Sequence, residues 1–272
     1  MARITQEQRN RYSAKVKENK VKIDAILAQE QSLLNMLKQP GSQGLGYVRF
    51  KLSEQALSLT SYQILINNLS LSLLGIKNEE ALGEARKSLG RSIKYLEDIF
   101  TGYVDVPFSE YEQNLAAIEE KSYEERYKHI RKLGFAINGI EEGYGATSMW
   151  KWFIVELWGK HAALAKNSIN LKKAYQDLSL DSPNRMITLS YMSLIKKLLQ
   201  GSADRYREKY EVSSMKMDDF KQAISFLNAL KRIHMVFGEK TETEELKKKI
   251  EIWSAKLEND LKKRDEEAKK NR

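Results

Sequence analysis

Along the first forty residues, apolar side chains recur in a series of alternating four- and three-residue steps: Tyr12, Val16, Ile23, Ile26, Leu33 and Leu37. Asn19 and Glu30 hold the two positions that would complete it. Such spacing keeps one stripe of a helix facing a neighbour over about four heptads, and it predicts a long, coiled-coil-like helix. Thr5 marks the start, because its hydroxyl can accept from the backbone three residues on while Gln8 reaches back, and Pro40-Gly41 marks the stop. A helix of about 35 residues, roughly 50 Å long, follows. If Asn19 and Glu30 are buried, each needs a polar partner.

Past a glycine-rich turn, Gly41 to Gly46, a second helical pattern runs to Gly75 with Leu52, Leu59, Tyr62, Ile66, Leu69 and Leu73 on one face. The run Leu69-Ser-Leu-Ser-Leu alternates like a strand, but it lies inside the longer 3.6-residue period and is read as helix. A third helix is expected from about Asn78 to Gly102, burying Leu82, Leu89, Ile93, Leu96 and Phe100, with Gly83 and Gly90 placed to let another helix approach. Ser109 with Glu112, and Ser122 with Glu125, read as capping boxes for a short fourth helix and a fifth reaching about Ile140. Gly143-Tyr144-Gly145 closes that pair. A sixth helix is expected from about Ser148 to Leu178, and a seventh from Ser182, with Pro183 in its first turn, to Gly201. Residues 202–211 and 217–237 predict two more, the second carrying Phe220, Ile224, Leu227 and Leu230. Thr241 with Glu244 opens the last helix, where Leu246, Ile250, Trp253, Leu257 and Leu261 return to four-and-three spacing.

Nine or ten helices with short connections and no strand predict an all-α fold. It is either a multi-helix antiparallel bundle or an irregular stack of helix pairs, with long coiled-coil-like N- and C-terminal helices. No fixed repeat period is visible. The pattern divides the chain into an N-terminal amphipathic arm over 1–39, a helical core over 47–238 and a charged amphipathic helix over 239–272.

Composition narrows this picture. A chain of 272 residues with 42% hydrophobic content can bury a real core. The absence of cysteine removes disulfides, thiolate metal sites and a thiol nucleophile, and it suits a reducing cytoplasm. The most apolar window, Met149 to Trp158, is interrupted by Lys151 and Glu156, so no membrane span is expected, and the start of the chain shows no secretory signal. That window holds three of the four tryptophans and is apolar on almost every side of a helix. It reads as a central core helix ahead of a partner surface or a membrane-interface segment. Lysine and arginine total 46 against 37 acidic residues, a net charge of +9 that favours nucleic acid, anionic lipid or an acidic protein as partner. The excess is dispersed: residues 1–25 carry seven basic against three acidic residues, and 239–272 eleven against ten.

Templates for chemistry find little to hold. His129, His161 and His234 are 32 and 73 residues apart, and none sits in the paired motifs of helical metal sites. Glu125 precedes His129 by four residues and reads as an ordinary surface pair. The glycines of 41–46 lack the lysine and preceding strand of a phosphate loop, and read as a connector. Adjacent carboxylates such as Glu141 and Glu142 diverge by about 100° on a helix and do not converge on a cleft.

No catalytic residue, cofactor or metal ligand is therefore assigned. The expected function is a non-catalytic helical scaffold or adaptor acting through a protein partner or self-association. Its binding surface would be the seams: Tyr12, Val16, Ile23, Ile26, Leu33 and Leu37 on the first helix, and Leu246, Ile250, Trp253 and Leu257 on the last. Two alternatives stay open. One is a basic nucleic-acid-binding protein with little sequence specificity, resting on Arg3, Arg9, Arg11, Lys15, Lys17, Lys20 and Lys22. The other is an enzyme whose site is assembled from residues distant in sequence.

Overall fold

The computed structural model describes residues 4–39, 44–145, 147–213 and 215–270. Among these residues ten α-helices and no strand are found, and helices account for 83% of the structure, so the all-α expectation holds. They are α1 (Gln6–Leu37), α2 (Leu45–Leu74), α3 (Glu79–Phe100), α4 (Glu112–Ala116), α5 (Tyr123–Tyr144), α6 (Lys151–Asn167), α7 (Leu171–Gln176), α8 (Arg185–Val212), α9 (Met217–Val236) and α10 (Lys240–Lys270). No helix among the described residues is long and apolar enough to cross a membrane. The chain separates into two compact units, Met1–Gly102 with Tyr111–Ile154 and Tyr103–Glu110 with Val155–Arg272. The helix α1 belongs to the first unit and α10 to the second. Pro40 and Gly41, read as the stop of the first helix, and Arg3 of the basic cluster lie outside the described residues.

In the first unit, α2 and α3 form an antiparallel hairpin joined at Gly75, which caps α2 in the left-handed region at φ +66°. Leu52, Leu59, Leu82, Leu89 and Leu96 interlock between its helices, all but fully buried. The Leu69 to Leu73 run is helical, as its longer period predicts. Both local signals for α1 and α5 are realised: Thr5 with Gln8 and Ser122 with Glu125 form complete capping boxes. The Ser109–Glu112 box does not form. After Pro107 the chain makes a 3-10 turn over Phe108–Glu110, Pro107 O accepts from Glu110 N at 3.1 Å, and α4 starts from Tyr111 with no side-chain cap. Gly83 and Gly90 face open space, so they are not the close-approach points expected of them. That role falls to α5, where a Cβ on Gly139 would meet Ile64 Cδ1 at 3.0 Å and one on Gly143 would meet Leu82 Cδ2 at 2.5 Å.

In the second unit the sequence boundaries shift for local reasons. The expected helix from Ser148 to Leu178 breaks after Asn167, because the Asn170 side chain accepts from Lys172 N and Lys173 N and opens α7 as a new N-cap. Ser182 donates to Asp177 and accepts from Asn184 N, so it belongs to the turn before α8, which begins at Arg185. That helix runs through Gly201 and absorbs residues 202–211. Leu199, Ser202 and Ala203 on either side are buried, and their packing outweighs the cost of about 1 kcal/mol for a glycine in a helix. The last helix begins at Lys240 rather than being capped by Thr241, since Glu239 O already accepts from Thr243 N and Thr243 Oγ1.

Candidate functional site

The first seam is packed within its own unit. Ile23 is 8% exposed and clusters with Leu59, Ile66 and Ala81, against which Val16, Ile26 and Tyr62 pack. Its two polar exceptions are buried with partners: Asn19 Nδ2 donates to Lys15 O at 2.9 Å, and the Glu30 carboxylate lies 3.4 Å from the Arg91 guanidinium on α3. Beside them, burial and then the Glu30 charge raise the Tyr95 hydroxyl above its ordinary range. The Tyr12 hydroxyl accepts from Asn78 Nδ2 at 3.0 Å, and Asn78 also caps α3 through Ala81 N. Leu33 and Leu37 are half-buried. On the last helix Leu246 and Trp253 are buried, Ile250 and Leu257 half-buried, and the Trp253 ring meets Phe220 of α9 at 5.8 Å. Each seam is thus covered by a helix of its own unit, α1 by α2 and α10 by α9.

One hollow of the first unit, about 720 Å³ in volume, lies on α2 and α5, walled by side chains such as Gln55, Tyr62, Lys132 and Phe135 and reaching His129 at its floor. Sequence placed His129 in a surface pair with Glu125, and the structure overturns this. Glu125 is turned back to cap Ser122 and to pair with Lys121, while His129 is 4% exposed. Its Nε2 lies 2.8 Å from Ser53 Oγ, which is 2.7 Å from Ser92 Oγ, and its ring rests 4.6 Å from that of Phe50. Burial, reinforced by the charges of Lys132 and Lys121, holds the imidazole down to about 3, so it is neutral. A clue was present in the sequence: His129 shares a helical stripe with Ile130, Leu133, Ala136 and Ile140, all buried.

A serine beside a neutral histidine is the arrangement of an activated nucleophile. Here Ser53 is 0% exposed and its oxygen is engaged by both Ser92 and His129, and the hollow touches the imidazole without touching Ser53. The trio ties α2, α3 and α5 together and presents no oxygen to a substrate.

In the second unit, charged groups are likewise committed to holding the chain. The buried Lys166 amine donates to Val104 O at 2.9 Å, and burial, with Arg232 nearby, lowers it to about 8. Lys209 bridges Glu156 at 2.9 Å and Asp219 at 3.0 Å; burial opposes its charge, but the two carboxylates raise it above its ordinary range. Burial and a hydrogen bond to Asp260 push Tyr210 up to about 12. His234 Nδ1 is 2.5 Å from Glu239, which also pairs with Lys196. His161 is buried beside Trp158, over which Arg205 lies at 4.8 Å. The tryptophan segment begins in the first unit and runs on into the second; Ile154, Leu157 and His161 are buried, while Trp150, Trp152 and Trp158 are half-buried. No group of three or more histidine, aspartate or glutamate side chains converges among the described residues.

Among solved structures, a chain described as a computational design of self-assembling cyclic homooligomers is similar over 90% of this chain and 98% of its own, at 10% identity and a TM-score of 0.33. Likeness at that level carries nothing about assembly. No curated protein matches the sequence. The TP0443 family model matches residues 8–261, almost the whole length, and the chain belongs to the TP0443 family.

Proposed function

We propose that the protein is a non-catalytic helical scaffold that acts through protein–protein contact, in the cytoplasm that its cysteine-free composition suits. The observation that carries this reading is the hollow on α2 and α5, where Phe135 stands 64% exposed above a floor in which Ser58 and Ser61 bond to backbone carbonyls and His129 to the buried Ser53 beneath it. A packed floor under an exposed aromatic side chain favours recognition of a surface over turnover of a substrate. The seams pack within their own units against α2 and α9, and the hollow is the surface that offers an exposed aromatic side chain to a partner. Purification of the tagged full-length chain from its native cell, with nuclease treatment and washes from low to high salt, tests the proposal. A defined protein partner retained in near-equal amount is the expected result. Recovery of nucleic acid alone, lost as salt rises, would replace it with the nucleic-acid reading.

A further inference from the structure

The outer edge of α2 is uncovered from Tyr47 to Ile64, with α1 on one side and α5 on the other. Two hollows, of about 720 and 320 Å³, lie along it and adjoin at Lys51 and Glu54, which line both, and together they are treated as one channel. At the rise of a helix this stretch is roughly 26 Å long, room for about five helical turns. Its floor is shallow and already satisfied: Ser58 Oγ donates to Glu54 O and Ser61 Oγ to Leu57 O, each at 3.0 Å. Apolar side chains laid on that floor would strand no donor. Leu33, Tyr62 and Phe135 stand along the margins as apolar anchors.

The rim fixes the sign of the occupant. Lys51, Lys121 and Lys132 line the channel against the single carboxylate of Glu54. Lys51 is 3.3 Å from Glu54, and Lys121 is 3.0 Å from Glu125, which leaves Lys132 to an incoming anion. A second copy of a chain with net charge +9 is a poor match for such a rim. A nucleic-acid strand would want stacked aromatic platforms, whereas the exposed ring here is Phe135 and Tyr62 is capped by the Lys22 amine at 6.0 Å. We propose that this channel is the docking site for an acidic amphipathic α-helix of a partner protein, laid along α2 between α1 and α5. The proposal rests on the scaffold reading and names the surface and the partner's chemistry.

The test places a photo-reactive amino acid at Ser58 or Ser61, or at Val21 on the exposed face of α1, in the full-length chain in its native cell, and sequences the cross-linked peptides by mass spectrometry. The expected result is a protein adduct at 58 and 61 whose cross-linked segment has helical apolar periodicity and a negative charge. With Lys51→Glu and Lys132→Glu together, the adduct yield should fall about tenfold while circular dichroism stays unchanged. Adducts at Val21 but not in the channel would overturn the docking site and leave the scaffold reading standing. Channel adducts only to a second copy, to nucleic acid, to lipid or to a neutral or basic segment would overturn the proposal as well. No protein adduct at any of the three positions would sink both.

Discussion

His129 makes the stability of the first unit depend on pH in a direction and over a range that its geometry sets. The imidazole is neutral in the folded chain, held down to about 3 from an ordinary value of 6.5, because it is enclosed by Phe50, Ser53 and the α2/α3 hairpin. Below pH 6.5 the unfolded chain takes up a proton that the folded one refuses. Stability from this residue is therefore complete above about pH 6.5 and is lost as pH falls toward 3, by about 1.4 kcal/mol per unit. Between pH 6.5 and 4.5 the loss amounts to roughly 2–3 kcal/mol. His129→Gln keeps a hydrogen-bonding group within reach of Ser53 and removes the titration. At pH 7.5 the variant should be less stable by about 1–2 kcal/mol, from the lost ring contact with Phe50. By pH 4.5 the gap should have closed and reversed, since only the wild type carries the proton penalty. Urea unfolding of both proteins at pH 7.5, 6.5, 5.5 and 4.5, followed by far-ultraviolet circular dichroism, measures the difference, in which the carboxylates and the other two histidines cancel. Parallel curves across this range would refute the assignment of a buried, neutral His129.

Three further outcomes follow from the packing. Gly143→Ala drives a Cβ to 2.5 Å from Leu82 Cδ2 and should lower the melting temperature, the overpacking of about 1–3 kcal/mol exceeding the gain in helix propensity, whereas Gly90→Ala meets nothing within 4 Å and should raise it; differential scanning calorimetry reads both signs. Ser122→Ala breaks a formed capping box and should cost about 1 kcal/mol in urea unfolding, while Ser109→Ala, at a box that does not form, should stay within about 0.5 kcal/mol of wild type. Ile23→Asp places a carboxylate among Leu59, Ile66 and Ala81 and should cost about 3 kcal/mol or more, read as a fall in urea midpoint, while Lys15→Glu on the exposed face of α1 should leave that midpoint nearly unchanged.

Sequence reasoning succeeded where the cause is local. Thr5 with Gln8 and Ser122 with Glu125 satisfy helix-end donors from within four residues, and the 3.6-residue period of α2 overrode the strand-like alternation at Leu69 because both signals lie on one helix. It failed where the cause lies across the fold. Gly83 and Gly90 lie two turns apart on one helix, but which glycine meets a neighbour depends on where α5 crosses the hairpin, and it crosses at Gly139 and Gly143. Gly201 looks like a terminator until the burial of Leu199 and Ala203 is known. Asn170 shows the opposite case, a local cap that bonds Lys172 N and Lys173 N and lies inside the stretch expected as one helix from Ser148 to Leu178.

The candidate site divides along the same line. Four-and-three spacing states that a stripe of α1 is covered and is silent about what covers it. The two exceptions held more information than the rule, because a buried Glu30 demands a cation, and Arg91 of α3 supplies one. That pairing ties α1 to the hairpin and commits this part of the seam to its own unit. The channel could not be read from α2 alone: Glu54, Ser58, Ser61 and Tyr62 are what an ordinary solvated face carries, and they line a channel only because α1 and α5 both pack on α2 and leave its outer edge uncovered between them. A surface defined by the gap between two neighbours has no sequence period of its own. The channel and its lysine rim therefore become visible only once Lys51 and Glu54 of α2 are seen beside Lys132 of α5.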